Sequence, residues 1–246
     1  MSAKSNKTER FDRIEPSLRW VRAQVRGEFV VDSKRPLLVW EHEKYPTYFF
    51  PRDDVQMDWL VEATQTGSRT FWHLTVNGQQ VERAAYHYHD QPDLEEYLTF
   101  PWHKMDHWFE EEEEVFVHAR DPYKRVDVLP SSRHVRVVID GVTVAETKQP
   151  SLLFETSLPT RYYIPPADVN MAALTPTDTH TRCPYKGIAS YWNVIVGGQV
   201  NKDLVWGYPE PIPECPKIKG LLCFFNEKVD LYVDGELQER PQTYWS

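Results

Sequence analysis

Between positions 177 and 192 the chain reads Thr-Asp-Thr-His-Thr-Arg-Cys-Pro-Tyr-Lys-Gly-Ile-Ala-Ser-Tyr-Trp, bringing an imidazole, a guanidinium, a thiol and an ammonium into one short stretch. A cysteine attacks as thiolate, and the adjacent cations Arg182 and Lys186 favour that form of Cys183. His180, three residues upstream, is the candidate proton acceptor. The competing reading of Cys183 is a small buried thiol that fixes a proline-containing turn. Lys186, Gly187 and Arg161 suit the capture of a carboxylate, phosphate or carbonyl oxygen, since a glycine turn bares backbone N–H groups and arginine offers a planar fork. Alternatively, both cations pair internally with Asp168, Asp178 or Glu155. Glu155, at the end of an apolar run beside aromatic residues, is a candidate general acid or base, or one half of a structural ion pair. Tyr162, Tyr191, Trp192, Trp206 and Tyr208 either line a slot for a flat ligand or belong to the core.

Three strand-like runs and their connections must hold these groups. Arg161-Tyr162-Tyr163, Thr181-x-Cys183-Pro184-Tyr185-Lys186-Gly187, Tyr191-Trp192 and Trp206-x-Tyr208-Pro209-x-Pro211 resemble the family catalogued as domain of unknown function 427. The resemblance carries a nucleotidyltransferase-like label and implies no particular reaction. No Gly-Ser followed by an Asp-x-Asp pair is present to hold two catalytic metal ions.

The chain also repeats itself. Arg22, Gly27, Pro36, Glu41, Tyr48, Pro51, Asp54, Val55, Met57 and Leu60 recur as Arg136, Gly141, Pro150, Glu155, Tyr162, Pro165, Asp168, Val169, Met171 and Leu174, at a constant offset of 114. Trp72, Val76, Gly78 and Tyr88 recur as Trp192, Val196, Gly198 and Tyr208 at 120, so six extra residues fall around 182–187. Residues kept in both copies read as requirements of the fold. Cys183, Lys186, Gly187 and Arg161, the last facing Thr47 in the first copy, are free to serve a task of the second.

Each copy opens with a hairpin signal, Arg26-Gly27 and Asp140-Gly141. The expected fold is mainly β: two tandem strand-rich domains of similar fold, each with one short helix, related by a pseudo-twofold. The helix is expected at 213–225, where Ile218, Leu221, Leu222 and Phe225 recur at helical spacing, with its counterpart in 94–109. Asp168 is expected to cap a short turn. The expected division is a flexible tail at 1–16, a degenerate first repeat at 17–120, a linker at 121–132 and a site-bearing second repeat at 133–246. The glutamate run 110–114 reads as a solvated loop.

With 246 residues, 41% of them apolar, the chain has material for real cores, and 19 prolines against 10 glycines favour short strands. A formal charge of −9 argues against nonspecific binding to nucleic acid or an anionic membrane. Three cysteines, Cys183, Cys215 and Cys223, are too few for a disulfide framework, which points to the cytoplasm. The cysteine spacings match no zinc pattern, while His87-x-His89 and His103-x-x-x-His107 could each set two imidazoles on one face of a strand or helix. The expected activity is that of a cofactor-independent small-molecule enzyme, with a non-catalytic binding module for a small molecule or peptide as the alternative. A homodimer is a further expectation.

Overall fold

In the computed structural model, which describes residues 11–246, the chain divides into two compact units, Met1–Asp121 and Pro122–Ser246. The first contains β1 (Ile14–Pro16), β2 (Val21–Val25), β3 (Glu28–Ser33), β4 (Leu37–Val39), β5 (Thr47–Pro51), β6 (Leu60–Thr66), β7 (Arg69–Val76), β8 (Gln79–Tyr88), β9 (Tyr97–Leu98), β10 (His107–Glu110) and β11 (Glu113–Val115). The second contains β12 (Val126–Pro130), β13 (Val135–Ile139), β14 (Val142–Thr147), β15 (Ser151–Glu155), β16 (Arg161–Ile164), β17 (Leu174–Cys183), β18 (Gly187–Val196), β19 (Gln199–Gly207), β20 (Leu222–Phe224), β21 (Asp230–Val233) and β22 (Glu236–Leu237).

In the second unit, strands ordered β12-β15-β16-β20-β19-β18-β17 form one large antiparallel sheet, and β14-β13-β21-β22 form a smaller one. The first unit repeats this plan as β1-β4-β5-β9 and β6-β7-β8, joined by a bridge between Tyr86 and Thr99, with β11-β10-β2-β3 as the small sheet. The hairpin residues behave as their types dictate: Arg26 and Gly27 take φ of 52° and 81°, and Asp140 and Gly141 take 47° and 79°.

The duplication extends to polar details. Ser33 and Thr147 each donate a hydroxyl hydrogen bond of 2.6 Å to Asp54 and Asp168. Arg83 and Asp203 sit in matching β-bulges with φ of 48° and 47°. The Arg83 N–H donates to His73 Nδ1, and that of Asp203 to Asn193 Oδ1.

Apolar alternation explains the layering. One face of the large second-unit sheet, including Ile164, Val194, Val205, Leu222 and Phe224, packs with Val135, Val137, Leu231 and Val233 of the small sheet. The other face carries Leu153, Tyr163, Ala189, Trp206, Tyr208 and Cys223 under Cys215 and Ile218 from the loop before β20.

Several expectations need correction. Among the described residues no α-helix forms, and the helical segments are three-residue 3-10 turns. Segment 213–225 contains only the turn Pro216–Ile218 and then β20, because the prolines remove the N–H donors a helix needs there. In 94–109, turns at Pro92–Leu94 and Trp102–Lys104 flank β9, so His103 and His107 share no helix face. Asp168 lies inside the turn Pro166–Asp168, accepting from Thr147 rather than capping. Of the expected linker, Val126–Pro130 is the edge strand of the large sheet. Of the expected tail, Ile14–Pro16 is strand, and residues 1–10 lie outside the described residues. In the glutamate run, Glu110 is buried, accepting from the Tyr48 hydroxyl at 2.6 Å and pairing with Arg19. Glu113 and Glu114 belong to β11.

Candidate functional site

The six extra residues lengthen the hairpin of β17 and β18, and its tip is a tight turn. Pro184 presets the turn, the Lys186 N–H donates to the Cys183 carbonyl at 3.3 Å, and Cys183 pairs with Gly187 across the ladder. The tip docks on the following loop: Gly187 bridges to Pro211, and the Ile212 N–H donates to the Lys186 carbonyl at 3.1 Å. Gly187 has φ of +103°, and a Cβ there would lie 3.3 Å from both the Glu210 carbonyl oxygen and the Ile212 nitrogen. Its role is this close backbone contact, and the turn's bonds are made within the chain instead of being offered to an anion.

Strand alternation decides which side chains meet. Cys183, Thr181, Ala189 and Tyr191 face the loop side of the large sheet together with Trp206, Tyr208, Cys223 and Tyr163, and the Tyr191 and Thr181 hydroxyls lie 2.8 Å apart. His180 and Arg182 project to the opposite face beside exposed Ile188, so His180 is no partner for the thiol. Its Nδ1 lies 3.0 Å from the Asp178 carbonyl. Tyr162 and Trp192 also lie on the far face, packed into the core with the small sheet. Sequence proximity misled here because neighbours in a strand point apart.

On the loop side Lys186 is buried and paired with Glu155, whose other oxygen is 3.5 Å from Lys124 Nζ. Burial opposes the Lys186 charge, but the fields of Cys183 and Glu155 outweigh it and hold the ammonium above its ordinary value. Lys186 is therefore a cation at neutral pH, suited to stabilising negative charge and unsuited to attacking as a free amine. Cys183 is partly exposed, while Cys215 and Cys223 are buried, with thiols pushed up by desolvation to about 11 and about 12. Tyr208 is 5% exposed, and its hydroxyl makes no hydrogen bond to any described residue. Burial first, then the fields of Cys183 and Tyr191, push its hydroxyl well above the ordinary tyrosine value, so it stays a neutral donor.

Arg161 lies on the same face, but its fork is closed. It donates to both Glu227 oxygens at 2.6 Å and to Asn226, with Trp206, Phe225 and Trp245 around it. Glu227 also accepts from the Thr243 hydroxyl at 2.7 Å, and although burial opposes its charge, these bonds hold its carboxyl below the usual range. The Trp206 indole donates to the Tyr163 hydroxyl at 3.2 Å. Arg161 and Trp206 thus form a structural cluster beside the thiol and ammonium.

Sequence reading missed Lys124, hidden in the presumed linker, and Glu227, for which no pattern in the sequence gave a signal. Among the described residues, no group of three or more His, Cys, Asp or Glu side chains is placed to hold a metal ion. No helix among them is long and apolar enough to cross a membrane.

No curated protein matches the chain. The family model NTP_transf_9, described as Domain of unknown function (DUF427), matches residues 13–111 and again 127–235, spans that coincide with the two sheet systems. With a match in each unit, together covering most of its length, the chain belongs to the DUF427 family as a tandem pair of its domains.

Proposed function

We propose that the second unit binds a small molecule through a carboxylate or carbonyl oxygen, with Lys186 and Tyr208 as donors, Lys124 as a second cation and Cys183 as the reactive group. The observation that carries this reading is Tyr208, a largely buried side chain whose hydroxyl has no hydrogen-bond partner among the described residues, beside a partly exposed thiol and a charged lysine. A hydroxyl with no partner in the chain is free to donate to a ligand oxygen without giving up an internal bond. In the enzymatic form, the Cys183 thiolate adds to a carbonyl carbon while Lys186 and Tyr208 stabilise the oxygen that becomes negative. Glu155 keeps Lys186 protonated, and no organic cofactor is required. The family label of nucleotidyl transfer rests on the name alone.

A second reading, binding without turnover, is favoured by the closed state of Arg161 and of the turn backbone, which leaves few groups for moving protons. The unpaired state of all three cysteines supports a cytoplasmic setting.

Competing alkylation with iodoacetamide and iodoacetate tests the site. An anion site raises the iodoacetate-to-iodoacetamide rate ratio at Cys183 about tenfold above that of a free thiol, and Lys124→Gln lowers it. A wild-type ratio equal to that of free cysteine removes the proposal. Loss of turnover but not of ligand binding in Cys183→Ser then marks an enzyme rather than a binding module.

A further inference from the structure

The copy-by-copy comparison also singles out groups in the first unit. His87 stands where the second copy has Gly207, and Arg52 where it has Pro166, while Trp72 and Trp192 match. In the second copy the place of the imidazole is closed: a Cβ on Gly207 would lie 2.7 Å from the Leu221 carbonyl and 3.6 Å from the Trp192 ring. In the first copy that position carries a histidine that is nine-tenths buried.

The Trp72 indole N–H, which can only donate, gives a 3.0 Å hydrogen bond to His87 Nδ1. The remaining proton of the neutral ring is therefore on Nε2, and Nε2 has no partner among the described residues. This tautomer also disqualifies His87 from the metal pair suggested by His87-x-His89, because its outward nitrogen is occupied by hydrogen. The Arg52 guanidinium lies 5.7 Å from the centre of the Trp72 ring. Its Nη2 donates to the Glu95 carbonyl at 3.3 Å, and its Nε is buried without a hydrogen-bond partner.

We infer that Arg52 and His87, gathered on Trp72, form a second binding site, in the first unit, for the oxyanion group of a small molecule. Both side chains lie against the same indole and each carries an N–H without a hydrogen-bond partner among the described residues, and an oxyanion is the chemistry that accepts from both. Burial and then the field of Arg52 lower the basicity of His87, which keeps it a neutral donor at physiological pH. Glu62, Glu95 and His89 also face this histidine. Both carboxylates are exposed, so water screens their repulsion, whereas the His87 side chain and Arg52 Nε are buried. His89 turns its Nδ1 toward the Thr70 hydroxyl at 3.3 Å. The site is independent of the Cys183 cluster, since the second unit lacks both donors.

Titration of the full chain with sodium phosphate and, separately, sodium acetate tests the inference, using ¹⁵N-resolved signals of the Trp72 indole and the His87 ring. The expected result is a saturable shift of both signals with at least one of the anions at constant ionic strength, and the stronger response identifies a phosphoryl or a carboxylate ligand. Arg52→Gln should weaken it at least about tenfold, and Arg52→Lys, which keeps the charge without an Nε–H, by less. Absence of saturation with either anion, or a response unchanged in both variants, overturns the site.

Discussion

Glu41 and Glu155 occupy the same place in the two units, and their partners differ in a way that separates a closed polar core from an open one. Glu41 accepts from the hydroxyl of Tyr88 at 2.6 Å, from that of Tyr86 at 2.8 Å and from Arg69 at 3.4 Å, while Arg69 Nε donates to the Tyr88 hydroxyl at 2.8 Å. Every polar group of that network is matched by another. In the second unit Trp206 replaces Tyr86 and Ala189 replaces Arg69, so the cation comes from Lys186 on the lengthened hairpin. Moving the charge from a strand to a turn leaves Tyr208, the counterpart of Tyr88, without its carboxylate. Relocating one cation thus leaves a hydroxyl free of its carboxylate, with the surrounding sheet order unchanged.

The largest test of this contrast concerns Arg161, whose cluster has no counterpart where Thr47 stands. Glu227→Ala strands a buried guanidinium and should cost the second unit about 4 kcal/mol in chemical denaturation, the first unit keeping its hydrogen-exchange protection. A loss below about 1 kcal/mol would mean that Arg161 is available to a ligand after all. Next in size, Glu155→Gln leaves Lys186 buried without its counter-ion and should cost about 3 kcal/mol. Glu41→Gln should cost only about 1 kcal/mol, because Arg69 is 42% exposed and stays hydrated. Equal losses would erase the distinction between open and closed networks.

Hydroxyl deletion sharpens the comparison further. Tyr88→Phe should destabilise the first unit by about 1 kcal/mol, whereas Tyr208→Phe should be close to neutral, because its hydroxyl has no partner to lose. A substantial loss in Tyr208→Phe would count against the proposed ligand contact. The smallest effect is in alkaline titration. Cys215 and Cys223 have folded values raised from 9.0 to about 11 and about 12, so their contribution is complete below pH 9 and is lost as pH rises through those values. Both of these cysteines lie in the second unit, so hydrogen-exchange protection should weaken there at a lower pH than in the first unit, whose raised groups are tyrosines with an ordinary value of 10.0 and arginines with one of 12.5.

The sequence by itself determined the mainly β class, the duplication and its register. These are local or repetitive properties, set by alternation, Asp-Gly turns and residues recurring at fixed offsets. It also placed Cys183 and Lys186 in one turn, because Cys-Pro-Tyr-Lys-Gly is short enough for spacing to dictate proximity. It could not place His180 and Tyr162 on the face opposite Cys183, since a strand reverses its face at every residue and register depends on the partner strand. Nor could it pair Arg161 with Glu227 or Glu155 with Lys124, contacts made by strands and turns far apart in the chain. Helical spacing in 213–225 lost to prolines and to strand pairing across the sheet. Which charges are spent on one another, and which hydroxyl is left without a partner, was decided only by tertiary structure, because burial and long-range pairing set the cost of each choice.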